Sequence, residues 1–288
     1  MAAAGLVLGA LILTRPLGIF LAPLFVAYLL YSMRADIRRA PHYVIILSAC
    51  CAIVFLPWMV RNARLSGHFA LSSVSTYTML FYNVVEFEVQ QGASKTEFVR
   101  SLQERLATND GSALRSFQYQ AQENALVHEY VEGHVVSYAV FHILKTIPFF
   151  IGSSIDTAER GLFTLGILQG EPPPAVNLSG LALSGNVSAI IDAVRVHPWE
   201  MLERLLWLLC TIFAFGTVVW MLFVHASTWP QVLFFAALIL TLAILTGPLS
   251  QPRYRMPAEP FLLMLAFSGI SWSISVVRRV PLTAGIKS

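Results

Sequence analysis

Two guanidinium groups and a phenol stand together in Arg253-Tyr254-Arg255. They lie inside Gly247-Pro-Leu-Ser-Gln-Pro-Arg-Tyr-Arg-Met-Pro-Ala-Glu-Pro260, between two apolar runs at 231–246 and 261–277. Guanidinium binds phosphate through paired hydrogen bonds and stays charged where water is scarce. Fixed positive charge at the end of a membrane span suits an anionic headgroup, and a phosphate at a membrane surface usually belongs to a lipid. The plainer reading is that these side chains only snorkel to the headgroups and anchor helix ends. Four prolines keep the stretch from being helical throughout.

Two further groups belong to the same expectation. Arg15, in Thr14-Arg15-Pro16, interrupts an apolar N-terminal run; it joins Arg253, Tyr254 and Arg255 as an expected contact for a lipid phosphate, against the alternative of a kinked helix end. Arg61 and Asn62 follow Pro57-Trp58 at the end of a third apolar run. An asparagine and an arginine placed there suit a sugar or a diphosphate, and an aromatic belt with a helix end explains them as well.

Other motifs promise less. His128 and Glu132 stand one helical turn apart in His128-Glu129-Tyr-Val-Glu132-Gly-His134 and could share a ligand. The zinc-protease pattern needs histidine where Glu132 stands, so the segment reads as a solvated helix face and no metal site is assigned. Glu86 and Glu88 come nearest to paired carboxylates after a span. No phosphate-cradling glycine loop or nucleophile elbow is present, and the catalytic residue stays unassigned. Asn177-Leu-Ser179 and Asn186-Val-Ser188 are glycosylation sequons of a kind common by chance.

The chain that must position these groups is 56% hydrophobic and 12% charged over 288 residues, with a mean hydropathy of +0.66. Soluble domains carry about a quarter charged residues, so this composition belongs to an integral membrane protein. A net charge of +3 gives no reason to expect nucleic acid. Cys50, Cys51 and Cys210 sit in apolar runs as small hydrophobes and build no disulfide framework. The first apolar run has no basic residues before it and does not read as a cleaved signal.

The expected fold class is all-α, a polytopic membrane helix bundle with a largely helical extracytoplasmic region. It divides into N-terminal membrane segments (1–60), an extracytoplasmic region with amphipathic and interfacial helices (61–198), and C-terminal membrane segments (199–288). About six segments are expected, the first two being short helices that meet at Arg15. The polar stretch from Arg61 to Glu200 holds every acidic residue except Asp36, Glu203 and Glu259. In it Ser94-Lys-Thr-Glu97 fits a capping box, and Phe98, Leu102 and Leu106 share a helical face. Asn109-Asp-Gly111 reads as a turn, and Leu114, Phe117, Ala121 and Ala125 resume helical spacing. Residues 135–151 read as an interfacial or re-entrant helix, while 170–174 and 178–186 read as loop. Lysine and arginine in short loops place Arg34, Arg38, Arg39, Arg278, Arg279 and Lys287 in the cytoplasm, which puts Arg15, residues 61–198 and the Arg253 turn on the other side. The expected location is a bacterial inner membrane.

Three segments together resemble the GT-C membrane glycosyltransferases, the group that includes protein O-mannosyltransferases and the aminoarabinose transferase of lipid A. Gly5-Leu-Val-Leu-Gly-Ala-Leu-Ile-Leu-Thr-Arg-Pro-Leu-Gly18 is similar to that group's glycine-rich helix. Leu56-Pro-Trp-Met-Val-Arg-Asn62 with Gly67-His-Phe is similar to its span end before the second outer loop. Arg253-Tyr-Arg-Met-Pro-Ala-Glu-Pro-Phe-Leu262 is similar to its late arginine-rich turn. The resemblance implies transfer of a sugar from a polyprenyl-phosphate carrier to an extracytoplasmic acceptor, with inversion, the arginines holding the carrier phosphate and a divalent metal compatible with the site. It also implies an acidic first outer loop, expected upstream of Met1 or on a partner subunit. A non-catalytic membrane subunit or lipid-binding scaffold is the alternative. A transporter ranks last, since no inverted repeat or mid-span ionisable pair is evident.

Overall fold

The computed structural model describes residues 1–164, 167, 187–224, 229–249 and 251–279. It is all helix, with no strand among the described residues. The sequons at Asn177 and Asn186, the segments 170–174 and 178–186, and Lys287 lie outside them. Among the described residues, three helices are long and apolar enough to cross a membrane: Ala40–Ser66, Pro198–Phe223 and Trp229–Leu249. Three shorter apolar stretches accompany them, Ala2–Thr14, Pro16–Ser32 and Glu259–Ser271, the last lying within a helix that runs Glu259–Arg279, so an apolar helix stands at each of the six expected segments and three of these meet the length and composition of a span. The chain forms two compact units, one of residues 1–145 with 247–249, the other of residues 146–246 with 250–288. These boundaries differ from the division at 60 and 198, since Ile147–Ile151 and Ser154–Thr164 pack on Pro198–Val224.

In the first unit, Ala2–Thr14 lies along Ala40–Ser66. The approach is close because Gly5 and Gly9 carry no side chain. A Cβ on Gly5 would stand 2.5 Å from the Leu47 carbonyl oxygen, and one on Gly9 would stand 2.6 Å from that of Cys51. Small residues four apart are how helices meet where no water drives them together. Leu8, Ile12 and Cys51 fill the seam. The helix stops at Arg15, whose backbone is extended (φ −139°, ψ 103°), and Pro16 opens a 3-10 helix to Leu21 followed by Ala22–Ser32. The expected break at Arg15 is therefore present.

Ala40–Ser66 ends at Gly67, a left-handed cap (φ +77°). A helical cluster follows, with Leu80, Val84, Val85, Leu102, Leu106, Leu114 and Leu126 at its centre. Ser94 is the N-cap of Lys95–Arg105 as its spacing predicts, though its hydroxyl makes no capping bond and its carbonyl accepts from the Phe98 amide. Asn109-Asp-Gly111 is a helix start rather than a free turn, since Asp110 Oδ1 accepts from the Ser112 amide at 2.8 Å. The next helix, Gln120–Glu132, departs from expectation. Ala121 and Ala125 are exposed, and Glu123 and Leu126 are its buried residues. Phe117–Glu132 and Val135–Ile151 form a pair bent by 99°, the shape of a broken span or of a re-entrant loop. Gly247 closes this unit with φ +44° against the His142 imidazole, where any side chain would collide.

In the second unit, Pro198–Val224 packs along Glu259–Arg279. Thr217 fixes their register: its hydroxyl lies 2.8 Å from both the Phe213 and the Leu265 carbonyl oxygens. Short helices at Ile147–Ile151, Ser154–Thr164 and Pro252–Arg255 are tied to this pair.

Candidate functional site at the arginine turn

Pro252 opens a one-turn helix, Pro252–Arg255, from an extended Gln251. Residues two apart on a helix point to opposite sides, so Arg253 and Arg255 separate. Arg255 is fully buried and Arg253 is exposed. The expectation that both hold one phosphate needs revision on this ground.

The Arg255 guanidinium is enclosed by its own chain. Nη1 donates to the carbonyls of Phe149 (3.2 Å), Phe150 (3.3 Å) and Gly152 (3.0 Å), and Nε donates to Glu259 Oε1 at 3.1 Å. Those carbonyls end the Ile147–Ile151 helix, where the last turn lacks partners and carries partial negative charge. The guanidinium carbon lies 3.9 Å from the Trp207 ring centroid. Burial pulls the Arg255 pKa below its ordinary value, while Glu259 and Glu203 pull it back up. Nη2 makes no hydrogen bond and faces Glu203 Oε1 at 4.0 Å.

Glu203 does the complementary task. Its carboxylate accepts from Ser153 Oγ (2.6 Å) and from the amides of Ser154 (2.9 Å) and Ile155 (3.1 Å). These donors form the N-terminus of Ser154–Thr164, which favours negative charge. One buried cation thus caps a helix end, one carboxylate caps the next helix start, and the two charges face each other between them. A Cβ on Gly152, which sits in this junction, would stand 2.5 Å from the Pro148 carbonyl oxygen and 2.8 Å from Pro252.

Arg253 remains as the outward cation. Its Nη2 donates to Tyr254 Oη at 3.3 Å, and its guanidinium lies 5.0 Å from the Tyr254 ring centroid. No carboxylate among the described residues pairs with it. An aromatic platform that orients a guanidinium with donors facing outward is an arrangement suited to a phosphate.

The remaining expected contacts belong to the first unit. Arg15 is exposed at the helix break. Arg61 is exposed and stacks 4.7 Å from the Trp58 ring centroid. Asn62 is buried and ties down its own loop, its Nδ2 donating to the Ala70 carbonyl at 2.8 Å, while Trp58 Nε1 donates to the Leu71 carbonyl at 3.2 Å. The amide of Asn62 is therefore engaged by backbone, and Arg61 is the exposed polar group of that pair.

The acidic candidates are placed too. Glu86 holds Lys145 at 2.9 Å. His128 and Glu132 lie 3.6 Å apart with both side chains about three-quarters exposed, a solvated helix face. Glu129 pairs with Arg105 instead, at 2.6 Å. Among the described residues no cluster of three or more histidine, cysteine, aspartate or glutamate side chains could hold a metal ion.

Two buried groups escaped the sequence reading. Glu123 has no exposed surface, and neither carboxyl oxygen has a hydrogen-bond partner. Burial pushes its pKa up, and a weaker interaction with Thr76 pulls the other way. His197 and Glu200 pair at 2.9 Å where the Pro198–Val224 helix begins. Their spacing of three before an apolar run was the available signal for that pair. No family model matches the chain, and neither a curated protein nor a solved structure matches it.

Proposed function

We propose that the protein is a membrane glycosyltransferase of the lipid-phosphate-donor type. Arg253, steadied by Tyr254, contacts the phosphate of a polyprenyl-phosphate-linked sugar, and the acceptor is extracytoplasmic. The observation that carries this reading is the division of labour in the turn. Arg255 is consumed in holding the turn against two helix ends, which fixes the backbone from which Arg253 presents its guanidinium at the end of a spanning helix. A guanidinium preorganised beside a departing phosphate stabilises charge as it develops in the transition state.

A second reading, lipid binding without transfer, is favoured by one observation. The carboxylate of Glu86, part of the nearest acidic pair, is already engaged by Lys145. A single assay separates the two. The protein is reconstituted in vesicles containing a polyprenyl-phosphate-linked mannose together with hydroxyl-bearing lipid and peptide acceptors, one of which takes the sugar and gives up its proton as polyprenyl phosphate leaves, and both retention of the lipid by the purified protein and release of free polyprenyl phosphate are measured. Transfer predicts release that Arg253→Ala lowers by about 100-fold, the scale of losing one charge-stabilising donor. Retention without release selects the binding reading, and lipid retention unchanged in Arg253→Ala removes Arg253 from both.

A further inference from the structure

We propose that Val187–Val196 is an in-plane helix seated in the polar–apolar boundary of the lipid bilayer. Exposure follows a regular pattern along its length. Val187, Ile191 and Val194, spaced i, i+4 and i+7, are 64%, 46% and 47% exposed. Ser188, Asp192 and Arg195, at the same spacing and one position on, are exposed as well. From Val187 to Arg195 an apolar stripe and a polar stripe thus run side by side, about 12 Å at 1.5 Å per residue; Val196, the last residue of the helix, is 69% exposed and lies outside the apolar stripe.

Only one setting satisfies both stripes. A helix standing in water would leave three branched apolar side chains hydrated along its whole length. A helix crossing the hydrocarbon would bury a carboxylate and a guanidinium. A helix lying parallel to the membrane surface wets one stripe and covers the other, the arrangement of interfacial amphipathic helices.

The neighbouring chain fixes the depth. The His197 amide closes the helix onto the Ala193 carbonyl at 2.9 Å, and Pro198 then starts the spanning helix. Pro198 lacks the amide hydrogen that would continue the ladder, which makes this the natural place for the chain to turn. Trp199 follows with 71% of its surface exposed. An exposed indole at the start of a span belongs at headgroup level. The stripe-bearing helix and the spanning helix follow one another directly, and the bilayer that the second one enters is the occupant the stripe fits.

The test uses the full chain in phosphatidylcholine vesicles. Photoreactive p-benzoylphenylalanine replaces Val187, Ile191, Val194, Ser188 or Asp192, one at a time, and adducts are identified by mass spectrometry after illumination. The proposal expects phospholipid adducts at 187, 191 and 194 in similar yield, and about five-fold less at 188 and 192, as an interfacial helix requires. Three apolar positions report on the same stripe, so a variant that fails to accumulate leaves two others. Crosslinks from the apolar stripe to a second copy, or to another segment of the same chain, would overturn the proposal. Lipid yield that falls steadily from 194 to 187 would overturn it too, because that gradient describes an upright helix.

Discussion

Arg253 and Arg255 differ by two positions and by almost everything else. Replacing Arg255 by alanine leaves Glu259 unpaired and three helix-end carbonyls uncapped, so we expect a loss of about 3 kcal/mol, the scale of breaking a buried ion pair. Arg255→Lys keeps the charge but loses the fork that reaches several carbonyls at once, and should recover only part of that loss. Arg253→Ala, at an exposed site, should change stability by no more than about 0.5 kcal/mol while weakening lipid retention. Thermal midpoints and membrane levels of the three variants check this, and a stable Arg255→Ala protein would undo the structural role. The separation was legible in part. Alternation puts residues two apart on one side of an extended chain and on opposite sides of a helix. The prolines around the turn argued against helix, yet Pro252 sits at a first helical position, where proline is welcome. Asn62 misled for a related reason. A side-chain amide just past a span looks available until the returning loop at Ala70 and Leu71 takes it up.

At the scale of elements, long apolar runs and their breakers were readable because hydropathy and backbone chemistry are local. Arg15-Pro16 breaks the N-terminal run, and Gly67 ends the longest helix of the first unit. The short helices of the second unit were not readable. Ile147–Ile151 and Ser154–Thr164 are capped by Arg255 and Glu203, residues about fifty to a hundred positions away, and no window of sequence contains that partnership. The Gly5–Gly9 seam lies between these cases. Its glycines were visible as a glycine-rich helix, but only packing identifies Leu47, Cys51 and Val54 as the surface they approach. Gly5→Leu or Gly9→Leu should force the two helices apart and cost about 1–3 kcal/mol, as overpacking does. Gly111, which has open space where a Cβ would stand, should tolerate alanine within about 0.5 kcal/mol and serves as the control. Equal midpoints for all of these variants would show that the seam does not hold the first unit together.

For the molecule as a whole, the buried glutamate of Gln120–Glu132 should shape how stability follows pH. Helical spacing alone favours alanines on the inner face of this helix, yet the structure puts Glu123 there, on a polar helix outside the three spanning segments. A carboxyl with no exposed surface is held more easily with its proton, and its folded pKa lies above the ordinary glutamate value of 4.5. A raised pKa means that the folded state binds the proton more tightly than the unfolded chain does. The stability tied to that proton is fully present below about pH 4.5 and is lost as pH rises through the folded value. Glu123→Gln imitates the protonated acid at every pH. The variant and the natural chain should therefore melt together at pH 4, and the variant should become the more stable of the two as pH rises to 8. The gap should level off once the folded carboxyl has ionised. Thermal midpoints measured across that range in one detergent decide the matter. A gap that is the same at pH 4 and pH 8, or one that favours the natural chain at high pH, would mean that Glu123 finds a compensating charge in the folded protein.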